Sequence, residues 1–404
     1  MTDWTERIDA YVDGIADRLS SIRRHLHMHP EPSGAEEGTA RYLADLLRDE
    51  GLDTRLVAGG RGVVGEPADQ GEGPRVGFRG DIDALRMSDE KNVEYRSTVE
   101  GITHACGHDA HATIVIGAAM ALRACADELP WPVRWRALLQ PAEETSEGAR
   151  EMVEEGVMED VASVIALHVD PERQTGRVAF RHGTMTAYCD EVDVVISGAG
   201  GHAARPHHTV DPILAACQFV TAVYQFIPRA IDSRHPSVIT FGSFHGGASQ
   251  NVIPEQVKIR GTARTTSHAE TSRVEDRLEE IADGIAEASG TEIDIEFKRG
   301  PDAVINDDRV TDTCIAAAAA LLGEPAIESI DEPSMGGEDF AEFQRKAPGC
   351  LMRLGVSQNP DDAYFLHSPR FDLDEAALAI GAKLIARSVV LLARPAEDAR
   401  GDNG

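Results

Sequence analysis

The chain of 404 residues is longer than one hydrophobic core usually serves, so two domains are expected. Its formal net charge of −30 argues against a nucleic-acid partner, because phosphates would be repelled. No apolar run approaches the roughly 20 residues of a membrane span, and the acidic start does not resemble a signal peptide. Six scattered cysteines without a Cys-x-x-Cys pair fit a reducing compartment. We therefore predict a cytoplasmic protein that contacts neither membrane nor nucleic acid.

The apolar pattern of the first half alternates between helices and strands. Apolar residues at helical spacing from Ile8 to Leu26 predict one long helix that Pro30 ends. Further patterns predict helix 35–50, strand 75–82, helix 110–128, strand 133–139 and strand 163–169. This alternation predicts an α/β domain with a mostly parallel sheet and helices on both faces.

The pattern changes after about residue 185, where a β-α-β-β-α-β order begins. Its predicted elements are strand 190–197, helix 211–227, strands 237–244 and 256–265, helix 269–288 and strand 291–298. That order is typical of the ferredoxin-like split βαβ unit. A strand at 350–355 and a helix at 373–393 then resume the first pattern. We therefore predict a catalytic metal-binding domain in two parts, 1–186 and 300–404, interrupted by an inserted α+β domain, 187–299.

Residues 104–111 (HACGHDAH) place four metal-binding types of side chain within eight positions. Cys106 and His108 are two residues apart, so in a turn both can point at one centre. Thiolate and neutral imidazole are the ligands that zinc and its neighbours favour. Taken alone, the segment could also be a His-rich surface loop beside a buried cysteine.

Two adjacent carboxylates follow the strand 133–139, Glu143 and Glu144. Beside a metal, one could bind the cation while the other moves a proton, whereas alone they would be a solvated loop. His168 ends a buried strand and His367 lies in a short loop, so each could instead be an ordinary packed or incidental histidine. Together they complete a set of ligand types for two metal ions about 3.5–4 Å apart: Cys106, His108, Glu144, His168 and His367.

Asp81 and Asp83 stand at the end of the strand 75–82. One of them is expected to orient a metal ligand from behind by accepting a hydrogen bond from it. The alternative is a helix N-cap or a solvated turn. Because the other candidates also follow strands, the carboxyl edge of the sheet is the expected site.

These segments together resemble the co-catalytic metallohydrolases that include aminoacylase and glutamate carboxypeptidase. The resemblance is greatest to the hippurate hydrolase and indole-acetyl-amino-acid hydrolase branch. The segments that carry it run in order through nearly the whole chain: FRGDIDAL (78–85), STVEGITHACGHDAH (97–111), QPAEE (140–144), ALHV (166–169), GGHAARPH (200–207), QNVIP (250–254), GTAR (261–264), SMGGEDF (334–340) and LHSPRF (366–371).

The resemblance implies a role for each candidate residue. Glu143 would be the general acid/base, and the inserted domain would form a homodimer or higher oligomer. His202 would then reach the neighbouring subunit's active site and stabilise the oxyanion. Asn251 and Arg264 resemble groups that hold a substrate carboxylate, although Arg264 could equally form a surface ion pair. The implied metal ligands are the five residues chosen above from chemistry.

We therefore predict a metal-dependent amidohydrolase that cleaves N-acyl amino acids, hippurate-like or N-acetyl, to a carboxylate and a free amino acid. A metallo-dipeptidase or carboxypeptidase would share this chemistry and differ in its pocket. A cysteine hydrolase that uses Cys106 and a non-catalytic binding protein are alternatives of other classes. Two divalent ions per subunit are expected, with zinc first and manganese, cobalt or nickel as alternatives.

The charge also predicts how stability responds to salt. Only five of the 39 basic residues are lysine, and an acidic, lysine-poor surface is typical of proteins from salt-rich cytoplasm. Molar salt screens repulsion to about 3 Å, so we expect the free energy of unfolding to rise between dilute buffer and molar KCl. Urea unfolding followed by circular dichroism measures the change. Full stability and activity in dilute buffer would contradict a halophilic origin.

Overall fold

The computed structural model describes residues 3–69 and 71–395, which form two compact units. Unit 1 comprises the chain up to Met185, Val304–Glu332 and the chain from Asp339 onwards. Unit 2 comprises Thr186–Ala303 and Pro333–Glu338. Residues 1–2, 70 and 396–404 of the predicted segments 1–186 and 300–404 lie outside the described residues.

Sixteen strands are described, and those of unit 2 are β8 to β13. In chain order they are β1 Asp53–Val57, β2 Gly62–Glu66, β3 Arg75–Asp81, β4 Arg134–Gln140, β5 Val161–Gln174, β6 Val178–Phe180, β7 Gly183–Thr184, β8 Tyr188–Ser197, β9 Gly201–His202, β10 Ser237–Gly246, β11 Val252–Ile253, β12 Gln256–Thr265, β13 Glu292–Arg299, β14 Ile305–Asn306, β15 Ile327–Ser329 and β16 Gly349–Ser357.

Ten α-helices are described, and those of unit 2 are α6 and α7. In chain order they are α1 Trp4–Gly14, α2 Ala16–Met28, α3 Glu37–Asp49, α4 His108–Ala124, α5 Gly148–Glu154, α6 Pro212–Ala230, α7 His268–Ser289, α8 Asp308–Leu322, α9 Phe340–Gln344 and α10 Ala376–Leu392. Among the described helices, none has the length and apolarity that crossing a membrane requires.

Unit 1 is built on an eight-stranded mixed sheet with the order β1-β2-β4-β3-β5-β16-β6-β15. The central strands β4, β3, β5 and β16 are parallel to one another, as is the pair β6–β15, whereas β1–β2, β2–β4 and β16–β6 are antiparallel. The expected mostly parallel sheet is therefore mixed, with its parallel part in the centre. The hairpin β1–β2 was not predicted from the sequence, and it supplies one of the antiparallel edges.

Helices cover both faces of this sheet. On β5, Ile165 and Leu167 belong to one apolar core, and Val164 and Ala166 belong to the other. This alternation follows from the two-residue period of a strand, and both faces are apolar because both are covered. The larger core takes in α1 to α4, α8 and α10, and the smaller takes in α5 and α9.

The predicted single helix from Ile8 to Leu26 is wrong in one respect, because it is two helices. Ile15 leaves helical geometry (φ −110°, ψ 11°) between α1 and α2. Gly14 precedes the break, and glycine lowers helix stability by about 1 kcal/mol relative to alanine. The second helix ends at Met28, shortly before Pro30, as the proline predicts.

Unit 2 contains the predicted β-α-β-β-α-β order, formed by β8, α6, β10, β12, α7 and β13. Its four strands form an antiparallel sheet with the order β10-β12-β8-β13. Alternate residues of β8 (Val192, Val194 and Ile196) are fully buried with the apolar stripes of α6 and α7. A short ribbon, β9–β11, joins His202 to Val252 in register.

The predicted boundaries differ from the two units in three places. Residue 186 and residues 300–303 group with unit 2, and so does Pro333–Glu338, which was expected in the second catalytic segment. The hydrogen bonds explain the assignment. Arg264 Nη1 donates to the carbonyl oxygen of Met335 (2.8 Å). The amide of Ala187 donates to the carbonyl oxygen of Gly336 (3.2 Å). Such long-range contacts leave no pattern in the local sequence.

Truncating the core of unit 1 should cost stability. Leu43 in α3 is fully buried, so Leu43→Ala should lower the free energy of unfolding by about 2–5 kcal/mol through lost transfer energy and a cavity. Leu56→Ala is the matched control, because Leu56 in β1 is 39% exposed and its loss should cost under about 0.5 kcal/mol. Urea unfolding of both variants measures the difference, and equal losses would contradict the packing described here.

Candidate metal centre

The predicted site residues of unit 1 converge at the carboxyl edge of its parallel strands. Asp81 closes β3, the Glu143–Glu144 pair follows β4, and His168 lies within β5. His108 is the first residue of α4, which Gly107 precedes in a left-handed conformation (φ 86°). A Cβ on Gly107 would meet Val169 Cγ2 at 2.4 Å, so glycine is required for the loop to approach β5 this closely.

Two groups of possible ligands share one thiol. The donor atoms of Cys106, His108 and His168 lie within 4.8 Å of one another, and so do those of Cys106, Glu144 and His367. Cys106 Sγ is 3.6 Å from His168 Nε2, and His367 Nε2 is 3.3 Å from Glu144 Oε1. The five predicted ligands are therefore brought together, with Cys106 common to both groups.

The hydrogen bonds of two histidines leave one nitrogen of each for a metal. Nδ1 of His108 donates to Asp83 Oδ1 (2.9 Å), and Nδ1 of His168 donates to the carbonyl oxygen of Val169 (2.8 Å). Carboxylate and carbonyl oxygens only accept, so Nδ1 carries a proton in both rings and Nε2 is the nitrogen left for a metal. Asp81 and Asp83 hold the pKa of His108 well above its usual value, so a metal ion would displace a proton from this ring. Nε2 of His108 is buried and has no hydrogen-bond partner among the described residues. A buried ring nitrogen without a hydrogen-bond partner fits a position that a metal ion would occupy.

The electrostatics of the buried donors also fit a cation. Burial raises the pKa of the Cys106 thiol to about 12, and burial lowers the pKa of His168 well below its usual value. Both groups are thus neutral at pH 7, and a divalent cation would deprotonate the thiol on binding. A soft thiolate with imidazoles and a carboxylate is a donor set for zinc, cobalt or nickel.

Of the two aspartates expected to orient a ligand, Asp83 is the one whose carboxylate accepts a hydrogen bond from a candidate ligand, His108. Besides the His108 ring, it accepts hydrogen bonds at Oδ2 from Ser33 Oγ (2.7 Å) and from the amide of Glu144 (3.1 Å). The buried carboxylate of Asp83 therefore fixes the direction of the His108 ring and the position of the Glu144 backbone amide. Asp81 contacts other residues, Arg79 and His111.

The turn that carries Glu143 is held in an unusual conformation. Ala142 has φ 51°, a region that non-glycine residues rarely adopt, and its amide donates to Glu36 Oε1 (2.8 Å). Oε2 of Glu143 lies 3.9 Å from His108 Nε2. His367 also has a left-handed backbone (φ 62°), and its amide donates to the carbonyl oxygen of Ala105 (2.8 Å). Strained residues held by such contacts are common at functional sites.

Access from solvent is one-sided. The side chain of His367 is 51% exposed, whereas those of Glu143 and Glu144 are 11% and 14% exposed. The remaining candidates are fully buried or nearly so. Of the candidate ligands, His367 is therefore the one most open to solvent.

Two other polar residues of the segment 104–111, Asp109 and His111, support it through hydrogen bonds. Asp109 accepts hydrogen bonds from Arg23 Nε (2.8 Å) and His27 Nδ1 (2.6 Å), all buried, which ties α2 to the start of α4. His111 uses both ring nitrogens, one towards Asp81 and one as the acceptor of the Val169 amide. Neither residue is left to bind a metal.

The three candidates of unit 2 lie on its surface or beside its second segment. His202 is exposed in β9, and its Nδ1 accepts a hydrogen bond from the amide of Ala204 (3.1 Å). Asn251 is exposed next to β11, where its carbonyl oxygen accepts from the amide of Ala203 (3.1 Å). Arg264 is half-buried and already donates to Met335, so at least part of its role is structural.

Sequence reasoning missed several residues that shape the centre. Ser33, Glu36 and Gln140 each contact the site through a side chain, yet none lies in a pattern that suggests ligand chemistry. The signal that could have found them is modest: Gln140 directly precedes the PAEE turn at the end of β4.

Removing the charge of Asp83 should weaken the centre. In Asp83→Asn, one oxygen must serve the donors that two oxygens serve now, and mutations of this type lower metal affinity by about 10–100-fold. Competition with a chromogenic chelator measures the affinity. The control is Asp45→Asn, which changes an exposed carboxylate in α3. Unchanged affinity in Asp83→Asn would contradict its orienting role.

Comparison with known proteins identifies relatives over nearly the whole chain. The N-acetylcysteine deacetylase of Bacillus subtilis is 35% identical over 376 residues, which are 93% of this chain and 97% of that protein. The IAA-amino acid hydrolase ILR1-like 4 of Arabidopsis thaliana is also 35% identical over 376 residues, 92% of this chain and 84% of the relative.

Solved structures show the same fold. The crystal structure of the Bacillus subtilis YXEP protein, described as a dinuclear metal binding peptidase from the M20 family, matches with a TM-score of 0.82 and 31% identity. The match covers 94% of this chain and 99% of that one. Residues 77–390 match the peptidase family M20/M25/M40, and this range contains every candidate ligand. The chain therefore belongs to this family and is a metal-dependent hydrolase of amide bonds.

Proposed function

We propose that the protein hydrolyses N-acyl amino acids to a carboxylate and a free amino acid. The observation that carries the proposal is the thiol of Cys106, which belongs to both groups of ligands beside the Glu143–Glu144 pair. The relatives named for N-acetylcysteine and for IAA-amino acid conjugates act on amides of this kind. They support an acyl-amino-acid substrate, with acetyl and hippurate-like acyl groups both open to test.

Five residues would hold two divalent ions, with zinc proposed first and manganese, cobalt or nickel as alternatives: Cys106, His108, Glu144, His168 and His367. When bound, the ions would polarise the acyl carbonyl and acidify the attacking water. The Nε2 atoms of His108 and His168 would face the ions, since the Nδ1 atom of each ring is already hydrogen-bonded. No other side chain of unit 1 is proposed as a metal ligand.

Glu143 would move the proton in both halves of the reaction. Its carboxylate takes a proton from the attacking water and passes it to the departing amine, so that water and amide become acid and amino acid. Its place in the Ala142–Glu143 turn keeps the carboxylate 11% exposed and 3.9 Å from His108. A group so placed can reach a substrate bound at the neighbouring ligands.

Groups from unit 2 would recognise the rest of the substrate. His202 of the partner subunit would donate a hydrogen bond to the oxyanion of the tetrahedral intermediate. Asn251 and Arg264 would hold the substrate carboxylate. The assignment of His202 depends on assembly of two chains.

A homodimer is therefore part of the proposal, and the surface of unit 2 supports it. The strand β10 is an edge of its sheet, with β12 as its hydrogen-bonded neighbour, and such edges favour pairing with another chain. Exposed apolar side chains also lie along β10 and α6, which is typical of a protein interface. They are Leu214, Tyr224, Phe226, Val238 and Phe244.

A substrate panel tests the function directly. Metal-loaded enzyme should release free amino acid from N-acetyl amino acids or hippurate with higher kcat/KM than from dipeptides. A preference for dipeptides would instead assign a peptidase, which the family's other members and the peptidase description of the Bacillus subtilis structure make the second candidate. Activity that resists chelators and is lost on alkylation would point to a cysteine hydrolase.

Glu143→Gln tests the proton carrier. We expect kcat to fall by about 100- to 10,000-fold, because the amide cannot accept the proton, while metal content stays at the wild-type value. Glu147→Gln, an exposed change in the same turn, is the control and should keep wild-type kcat. Retained activity in Glu143→Gln would refute the assignment.

Mixing two inactive variants tests whether the site is shared. His202→Ala and Glu143→Gln should each be impaired alone, and random exchange of subunits should restore about a quarter of wild-type activity, since half of the dimers then hold one intact site. No recovery, with exchange verified by mass spectrometry, would show that His202 does not act across subunits.

A further inference from the structure

Asp81 is a third carboxylate close enough to the metal centre to be a ligand. It is fully buried, and its Oδ2 lies 3.8 Å from Nε2 of His108, the nitrogen that faces the metal. The donor atoms of Asp81, His108 and His111 lie within 4.8 Å of one another, so the Asp81 carboxylate stands among possible ligand atoms. Whether Asp81 binds metal therefore depends on the hydrogen bonds that hold its carboxylate.

Both oxygens of Asp81 are already engaged by short hydrogen bonds. His111 Nδ1 is 2.6 Å from Oδ1, and Arg79 Nη1 is 2.6 Å from Oδ2. These lengths are typical of charge-assisted bonds. The two donors approach from opposite ends of the carboxylate, so the group cannot turn towards His108 without losing one of them.

His111 can only donate to Asp81, because its other nitrogen is occupied. The backbone amide of Val169 donates to His111 Nε2 (2.9 Å), which makes Nε2 the acceptor and Nδ1 the protonated nitrogen. Val169 directly follows the ligand His168 in β5. The ring of His111 is thus fixed by the same strand that carries a proposed ligand.

Arg79 is held just as firmly. Its side chain is 1% exposed, Nε donates to Gln140 Oε1 (2.7 Å), and Nη2 donates to Asp339 Oδ1 (3.2 Å). Gln140 in turn donates to Asp339 (2.8 Å). A planar guanidinium that donates to Gln140, Asp81 and Asp339 has a fixed direction, which a lysine could not reproduce.

We propose that Arg79 and His111 are positioning residues that hold Asp81 off the metal ions. The inference rests on the proposed metal centre and adds to it the device that limits the ligands to five. Were Asp81 released, its carboxylate would take a coordination position and cancel part of the positive charge that a substrate carbonyl meets. This pair of hydrogen bonds from Arg79 and His111 to Asp81, called the clamp below, therefore keeps a coordination position open for water or substrate.

Cobalt substitution tests the clamp, because the visible bands of Co²⁺ weaken and move to shorter wavelength as coordination number rises. Arg79→Gln should bind two cobalt ions per subunit yet show weaker, blue-shifted bands than the wild type. The double variant Arg79→Gln/Asp81→Asn should regain the wild-type spectrum, since the released group is then a poorer ligand. Arg75→Gln, at the other end of β3, is the matched control and should leave the spectrum unchanged.

Three results would overturn the proposal. A folded, cobalt-loaded Arg79→Gln with the wild-type spectrum would show that Arg79 restrains nothing. Loss of a cobalt ion in Asp81→Asn alone would show that Asp81 is already a ligand. If Arg79→Gln does not fold, His111→Ala decides instead, and a wild-type spectrum there would again contradict the clamp.

Failure of the underlying function would look different. A wild-type protein that takes up no cobalt would refute the proposed metal centre. If the wild type binds two cobalt ions and the variants show the same visible spectrum as the wild type, only the clamp is refuted. Cobalt titration of the wild-type protein therefore distinguishes failure of the proposed metal centre from failure of the clamp.

Discussion

The approach of one buried thiol to two sets of oxygen and nitrogen donors is the constraint on which the rest of the structure depends. Cys106 Sγ lies 3.6 Å from His168 and within 4.8 Å of the donor atoms of Glu144 and His367. Burial keeps the thiol protonated in the absence of a cation, as its raised pKa shows. Burying such donors together costs free energy, which a bound cation would offset. The fold around them is organised to make that burial possible.

Parallel strands supply the common edge, and buried polar residues supply the orientation. β3, β4 and β5 bring their carboxyl ends to one edge of the sheet, as is usual for sites in open α/β sheets. Beneath the ligands, Asp83 directs the His108 ring and the Glu144 amide, while Asp81 is bound by Arg79 and His111. The two aspartates differ in role although they are two residues apart, because their partners come from different elements.

Part of the candidate centre could be expected from the sequence, because several of its residues stand in one segment or directly after strand patterns. Cys106 and His108 stand in one segment, and the order of elements in unit 2 follows from hydrophobic periodicity alone. The contacts of Ser33, Glu36 and Arg79 could not be predicted, since each joins segments far apart in the chain through a side chain of ordinary type. The break at Ile15 and the placement of Pro333–Glu338 escaped for the same reason: backbone geometry and tertiary hydrogen bonds decide them.

Anomalous diffraction from crystals of the zinc-loaded protein tests the central claim, that Cys106 is shared by two metal ions. The account predicts two anomalous peaks per subunit about 3.5–4 Å apart, each about 2.3 Å from Cys106 Sγ. One peak should lie between His108 and His168, and the other beside Glu144 and His367. A single peak, or a second ion that does not contact Cys106, would contradict the account.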